Sequence, residues 1–495
     1  MKIHNLTALE LAQAIQSREY TAREVILHYI DRIEKYDGQL KSFITVCKEE
    51  AIKQAEEIDR KIENWEIISP LMGVPIAVKD NIITKGIKTT AASKMLEDYI
   101  PAYNATVIDK ICNAGLIIIG KTNMDEFGMG ASTEKSAYAI CSNPHNTDMV
   151  AGGSSGGSAV CVSAGLCPIA LGTDTGGSVR QPSAYCGITG YKPSYGAVSR
   201  YGLIAFASSL DQIGVMGRNT ADCEALIKII SGKDKMDSTS ADISFDNQEI
   251  TLENLRIGVP NQFLSEHKAD CIKENLLNSI SKLELKGATV EFFDMPMLKY
   301  TVPIYHIISS AEASSNLAKY DGIRYGRRAE NYQGVTDMYK KSRSEGFGME
   351  VKRRILTGTF VLSKGYYDKY YGKAVTARNM LMEEFAEAFK KYDIIMGATT
   401  PDTAFKKGIN DNCPVEMYLL DQFTASVNLA GLPALSIPTG YDKAGLPIGL
   451  QIIGNRFCDS RLLSTVKEIE RVIGSERSDI PARFQGVQKG VNMKL

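Results

Sequence analysis

Three residues in this chain have the types and settings for acyl-transfer chemistry. Lys79 follows the apolar run Val74-Pro-Ile-Ala-Val78, Ser154 lies in Gly-Gly-Ser-Ser-Gly-Gly-Ser at 152–158, and Ser178 ends Gly172-Thr-Asp-Thr-Gly-Gly-Ser178. A serine hydroxyl is a weak nucleophile and needs a base within hydrogen-bond reach. A lysine can be that base only when neutral, and burial in an apolar, glycine-lined site lowers its pKa from about 10.4. A second serine can relay the proton between the lysine and the nucleophile. Glycines ahead of the nucleophile let backbone N–H groups point at a developing oxyanion, and Thr175-Gly176-Gly177 supply such a run. Taken singly, a strand-end lysine is ordinarily a solvated charge and a glycine-flanked serine a turn residue. Their fixed order with Asp174, Arg180 and Pro182 is what argues for a site. Asp174 and Arg180 then brace the loop, while Ser155 and Ser158 serve as turn and helix-start residues.

Two other motifs do not survive inspection. Gly115 to Thr122 fits G-x-x-x-x-G-K-[ST], but the intervening Leu116-Ile-Ile-Ile119 is strand-forming rather than a phosphate-cradling loop. Gly152 to Gly156 fits G-x-S-x-G, the α/β-hydrolase nucleophile elbow, which needs an acid and then a histidine downstream. Only His267 and His306 follow, and neither has a distinctive context. The remaining histidines, His4, His28 and His145, are dispersed, which also weakens any histidine metal site. Ten cysteines are scattered without a C-x-x-C pair, which reads as buried free thiols in a reducing cytoplasm.

The elements that must position these residues are legible in outline. Thr7 with Glu10 and Thr21 with Glu24 form two capping boxes, and Val25, Tyr29, Ile33 and Tyr36 follow at helical spacing. Residues 73–78 read as a buried strand, 105–114 as a helix and 116–119 as a second strand. Residues 150–220 hold 14 of the 42 glycines, set between apolar segments, so they mark tight turns and not a flexible linker. A polar loop is expected at 231–247, mostly helix over 305–392, and a helix then strands (434–438, 447–453) over 417–456. The last residues, 486–495, read as a loose tail. Strand and helix alternation predicts an α/β layered fold.

Composition sets the outer bounds. The 495 residues are 44% hydrophobic and 23% charged, which excludes a mainly disordered or fibrous chain. Lys plus Arg is 57 and Asp plus Glu 58, so there is no global basic footprint for nucleic acid. No apolar run is long enough to span a bilayer, and the opening residues lack the apolar core of a signal peptide. No membrane association and a cytoplasmic location are the expectation.

The motifs Lys79, Gly152–Ser158 and Gly172-Thr-Asp-Thr-Gly-Gly-Ser-Val-Arg-Gln-Pro182 resemble those of the amidase signature family, densely over about residues 70–215 and then over most of the chain. The resemblance implies a single α/β/α domain with a mixed central β-sheet covered by helices. That domain would occupy residues 66–485, with a catalytic core at about 70–215 and a substrate-pocket part at about 300–430. A helical segment, 1–65, would pack on it. It also implies a Ser-cisSer-Lys triad. Ser178 would be the acyl-forming nucleophile, Ser154 the bridging serine with a cis peptide behind it, and Lys79 the base. The backbone of Thr175, Gly176 and Gly177 would form the oxyanion hole.

Segments outside that core are similar to the branch of the family that serves tRNA-dependent amidotransferases. They include Lys121–Gly130, Glu312–Leu317, Tyr320–Gly326, Glu350–Arg354, Gly365–Asp368, Asp421–Thr424 and Asn428–Pro433. This similarity implies free glutamine as substrate. Arg354 would hold its α-carboxylate, Asp421 its ammonium, and Tyr305 would line the pocket. It implies no cofactor or metal in this chain, with ATP and Mg used elsewhere in a heterotrimeric complex. The partners would be subunits B and C. The first of them would bind most of the mischarged tRNA, Glu-tRNA(Gln) or Asp-tRNA(Asn), and receive the ammonia. The chain departs from the expected pattern at His306, Ala398 and Asp402. Plainer roles exist: Arg354 adjoins Lys352 and Arg353 on a basic helix, and Asp421 can be a helix N-terminal charge. The rival functions are a stand-alone amidase for another small amide and an inactive scaffold.

Overall fold

Thr7 and Thr21 each accept a hydrogen bond from the backbone of a glutamate three residues on, whose side chain caps the threonine N–H in return. Both capping boxes therefore start helices, Ala8–Gln16 and Ala22–Leu40. The second buries Val25, Tyr29, Ile33 and Tyr36 on one face. The computed structural model describes residues 2–246, 249–265, 268–409, 414–475 and 478–485. The expected tail at 486–495 lies outside them, as do His267 and the last residue of the expected loop at 231–247.

The described strands form one 11-stranded sheet. In chain order they are β1 (Phe43–Val46), β2 (Pro75–Lys79), β3 (Ile117–Thr122), β4 (Ile169–Asp174), β5 (Thr189–Lys192) and β6 (Gln212–Gly217), followed by β7 (Arg256–Pro260), β8 (Thr289–Phe293), β9 (Ile394–Ala398), β10 (Ala434–Tyr441) and β11 (Pro447–Ile453). Their spatial order is β1-β3-β2-β4-β6-β5-β10-β11-β9-β7-β8. β2 pairs in parallel with β3 and β4, and β7 with β8 and β9, while the remaining pairs are antiparallel. The sheet is therefore mixed, as expected. β1 places part of the first 65 residues in the sheet itself, at its edge beside β3.

Side chains alternate between two cores, because successive strand residues face opposite sides. Ile76 and Val78 of β2, Ile169 and Leu171 of β4, and Ile213 and Val215 of β6 enter one core. Ala77, Ala170 and Met216 enter the other, under the first helices. Burial on both faces explains why these strands read as continuous apolar runs. It also settles the phosphate-loop motif. Leu116 to Ile119 leads into and forms β3, and Lys121 ends fully buried with its Nζ donating to Ile82 O at 2.7 Å.

The register places the chemistry. β2 and β4 are parallel neighbours with Val78 opposite Leu171, so Lys79 and Asp174 leave the sheet at the same edge. In parallel sheets that carboxyl edge is where ligand sites form.

Candidate active site

Lys79 is the last residue of β2 and is fully buried. Its Nζ lies 2.8 Å from Ser154 Oγ, 2.7 Å from Ser155 Oγ and 2.8 Å from Thr173 Oγ1. Ser155 gives its own hydroxyl hydrogen to Thr173 O at 3.1 Å, so toward Lys79 it accepts. A neutral lysine has two N–H bonds and one lone pair. Ser155 and Thr173 can take the two N–H bonds, which leaves the lone pair for the Ser154 hydroxyl. Burial lowers the Lys79 pKa to about 7, against the pull of Asp125, Asp174 and Asp211. The peptide bond between Gly153 and Ser154 is cis. Gly153 N–H donates to Gln181 Oε1 at 2.8 Å, and Asp125 N–H to Ser154 O at 3.2 Å, which hold that turn.

Ser178 follows β4 in the Thr175–Gly177 loop and is 8% exposed, whereas Lys79 is not exposed at all. The two serine loops are joined directly, since Ser155 N–H donates to Ser178 O at 3.1 Å. Gly177 N–H donates to Asp174 Oδ1 at 2.8 Å. That donor is therefore engaged in holding the loop. Gly176 is required by close approach: a Cβ there would stand 2.5 Å from Tyr305 Cζ.

Asp174 and Arg180 brace this loop, as their order in the sequence suggested. Both are fully buried and pair at 3.0 Å. The same guanidinium donates to Gln451 Oε1 and Asn428 Oδ1, each at 2.6 Å, and to Thr424 O at 3.1 Å. Burial alone would push the Asp174 carboxyl up, but Arg180, helped by Lys192 and Asn428, holds the group below the usual carboxylate range. Arg180→Ala leaves that carboxylate buried and uncompensated. We expect a loss of about 3–5 kcal/mol in stability. A thermal-unfolding midpoint equal to the wild type would contradict this.

A cavity of about 440 Å³ holds Arg354 and Asp421 in its wall, together with Glu126, Glu350 and Tyr418. Arg354 is 5% exposed. Its Nε–H donates to Glu350 Oε1 at 2.8 Å, and its guanidinium stacks over Tyr418 at 4.9 Å. Its Nη1 is buried and has no partner among the described residues. Burial pushes Asp421 up to about 7, against the Arg354 charge. Tyr305 does not line this cavity. It is 4% exposed, packed against Gly176 in the loop after β4 and against His306. His306 in turn lies 4.0 Å from the Tyr418 ring, centre to centre, and burial and Arg354 keep its pKa well below the usual value. Ala131 in the cavity wall accepts from Gln181, the residue that also holds Gly153. The cavity thus stands one side chain away from the Ser154 turn. Among the described residues, no group of three or more His, Cys, Asp or Glu is placed to hold a metal ion.

The model of the Amidase family matches residues 24–463. The chain belongs to the amidase family. Among amidases, the A subunit of the glutamyl-tRNA(Gln) amidotransferase of Lachnospira eligens is 49% identical to it over 478 residues, covering 96% of this chain and 99% of that one. The Alkaliphilus metalliredigens protein of the same description is 48% identical, covering 96% and 98%. The crystal structure of the corresponding glutamyl-tRNA(Gln) amidotransferase chain from Thermotoga maritima superposes with a TM-score of 0.80 at 38% identity, covering 97% of this chain and 98% of that one.

Within this amidase, Ser155 stands at the start of the helix Gly156–Ser163, as its sequence position suggested, but sequence reasoning missed its side chain and passed over Thr173: the Ser155 hydroxyl makes no cap and is turned onto Lys79. No local signal separates it from a turn serine, because its role depends on the register of β2 against β4. The cysteine expectation needs a correction as well. All nine described cysteines are unpaired, but Cys112 and Cys458 are exposed and Cys271 is only half-buried, none of them among the fully buried core residues.

Proposed function

We propose that this chain is the glutamine-hydrolysing subunit of a tRNA-dependent amidotransferase. The observation that carries this reading is the cavity one side chain away from the Ser154 turn, where Asp421 shares a wall with Arg354, whose Nη1 has no partner among the described residues. A free amino acid needs a cation for its carboxylate and an anion for its ammonium. Arg354 and Asp421 supply these, and Tyr305 sets the nucleophile loop behind them.

In the proposed reaction, Ser178 Oγ attacks the side-chain amide carbon of glutamine. Its proton passes through Ser154 to neutral Lys79, and backbone N–H groups of Thr175 and Gly176 receive the developing oxyanion. The proton returned through Ser154 lets ammonia leave. Water, activated by the same relay, then cleaves the glutamyl ester to glutamate. This chain needs no cofactor for these steps. ATP and Mg belong to the complex, where a partner would use the ammonia to amidate mischarged tRNA. Subunits B and C are the proposed partners, residues 66–485 the proposed working domain, and the cytoplasm the proposed location. Among the described residues, no helix is long and apolar enough to cross a membrane.

The test uses the chain assembled with subunits B and C, measuring glutamate release from glutamine with ATP and mischarged tRNA. Arg354→Ala and Asp421→Ala should each raise KM for glutamine by about 10- to 100-fold, the cost of removing one partner of a charge-assisted bond. An assembled complex that releases no glutamate, or KM values unmoved by both substitutions, would overturn this reading.

A further inference from the structure

One buried carboxylate in the cavity wall has no task in the reaction above. Glu126 is 4% exposed and sits in a turn after β3. Its Oε2 accepts from Gly348 N–H at 2.8 Å, and its Oε1 from the Ser93 hydroxyl at 2.5 Å. Gly348 is the residue just before the helix Met349–Val361, which carries both Glu350 and Arg354. The first N–H groups of a helix lack partners within it, and a negative group there is favoured by the helix dipole.

The fit at this point is close. A Cβ on Gly348 would stand 2.3 Å from Glu126 Oε2, so a larger residue there would have to displace that carboxylate oxygen. The neighbouring residue fixes the same segment, because the Phe127 ring meets Phe347 at 5.7 Å. Farther along the helix, Glu350 Oε1 accepts from Arg354 Nε–H and from the Tyr418 hydroxyl at 3.1 Å. Two glutamates therefore act in series: Glu126 holds the helix start, and Glu350 holds the guanidinium.

We propose that Glu126 is a positioning residue for the substrate. By holding Gly348 N–H it fixes the start of the Arg354 helix, and so the place where Arg354 meets the α-carboxylate of glutamine. The inference rests on the glutamine-binding role proposed for Arg354. The charged groups sharing the cavity wall with Glu126 are Lys352, Arg353, Arg354 and Glu350 on the helix that follows Gly348, with Lys94, Lys135, Glu345 and Asp421 around it. Burial pushes the Glu126 pKa up to about 7, against its bonds to Ser93 and Gly348 and the Lys352 charge. The kinetics are therefore best measured at about pH 8, where the carboxylate is ionised.

The experiment is a double-mutant cycle on the assembled complex, with steady-state glutaminase kinetics. Glu126→Ala should raise KM for glutamine about tenfold and leave kcat within about twofold. Glu126→Gln keeps an oxygen for Gly348 N–H and should recover part of that loss. On an Arg354→Ala background, Glu126→Ala should raise KM no further, because the two residues act through one contact. Glutaminol, an amide lacking the α-carboxylate, should be hydrolysed equally by wild type and Glu126→Gln. An unchanged KM in both Glu126 variants overturns the proposal. So does a tenfold effect that persists without Arg354, or a loss confined to kcat. If Arg354→Ala alone leaves KM unchanged, the glutamine role of Arg354 fails first and this proposal falls with it.

Discussion

Ser178→Ala should reduce glutamine hydrolysis by a factor on the order of 10⁴ to 10⁶, leaving assembly and substrate binding in place. The size follows from what the hydroxyl does. It forms the ester that divides one difficult displacement into two easier ones, and no other group in the loop can replace it. Thr175 Oγ1 is committed to Asp211 at 2.7 Å. Ser154 and Ser155 are occupied with Lys79. The substitution removes one oxygen from a residue that packs nothing large, so the thermal-unfolding midpoint should hardly move. Residual hydrolysis above about one hundredth of the wild-type rate would assign the nucleophile elsewhere.

Lys79→Met should cost about 10³-fold or more in kcat, the scale of losing a general base together with its relay. The wild-type pH profile provides an independent check. With the Lys79 pKa lowered to about 7, mainly by burial, the amine is neutral and able to accept a proton only above that pH. At saturating glutamine, kcat should therefore be level above about pH 7 and fall about tenfold per unit below it. Asp421 also titrates near 7, and its protonation weakens the grip on the ammonium, so KM should rise over the same acid range. The two effects separate because only kcat survives saturation. A histidine-based hydrolase would instead lose activity on substitution of a histidine and keep it in Lys79→Met. The geometry disfavours that outcome, since His306 Nε2 is buried and has no partner among the described residues.

What was legible in the sequence was local. The capping boxes, β2 with its terminal lysine, and the glycine-framed serines all depend on residues within a few positions of one another. β1 was hidden inside a segment that reads as helical, because Phe43-Ile-Thr-Val46 is only four residues long and half-exposed. The contact of Ser155 with Lys79 was not legible because that partner is set by strand register. Glu126 lies in the Lys121–Gly130 segment that carried the resemblance, but its role had no local signal, since the N–H it holds lies 222 residues away. Gly177 could be placed in the loop from its neighbours, but not its N–H on Asp174. Arg354 and Asp421 were found through resemblance, and their meeting in one cavity is a property of the fold alone.

The Arg180 clamp bears on how the chain is made. All three proposed catalytic residues have left the ribosome soon after residue 178 is added, yet the partners of Arg180 come much later in the chain, Thr424 and Asn428 at 244 and 248 residues on and Gln451 of β11 at 271. Before residue 424 is made, none of these three can meet that guanidinium. A nascent or prematurely ended chain therefore carries the reactive groups without the frame that aligns them.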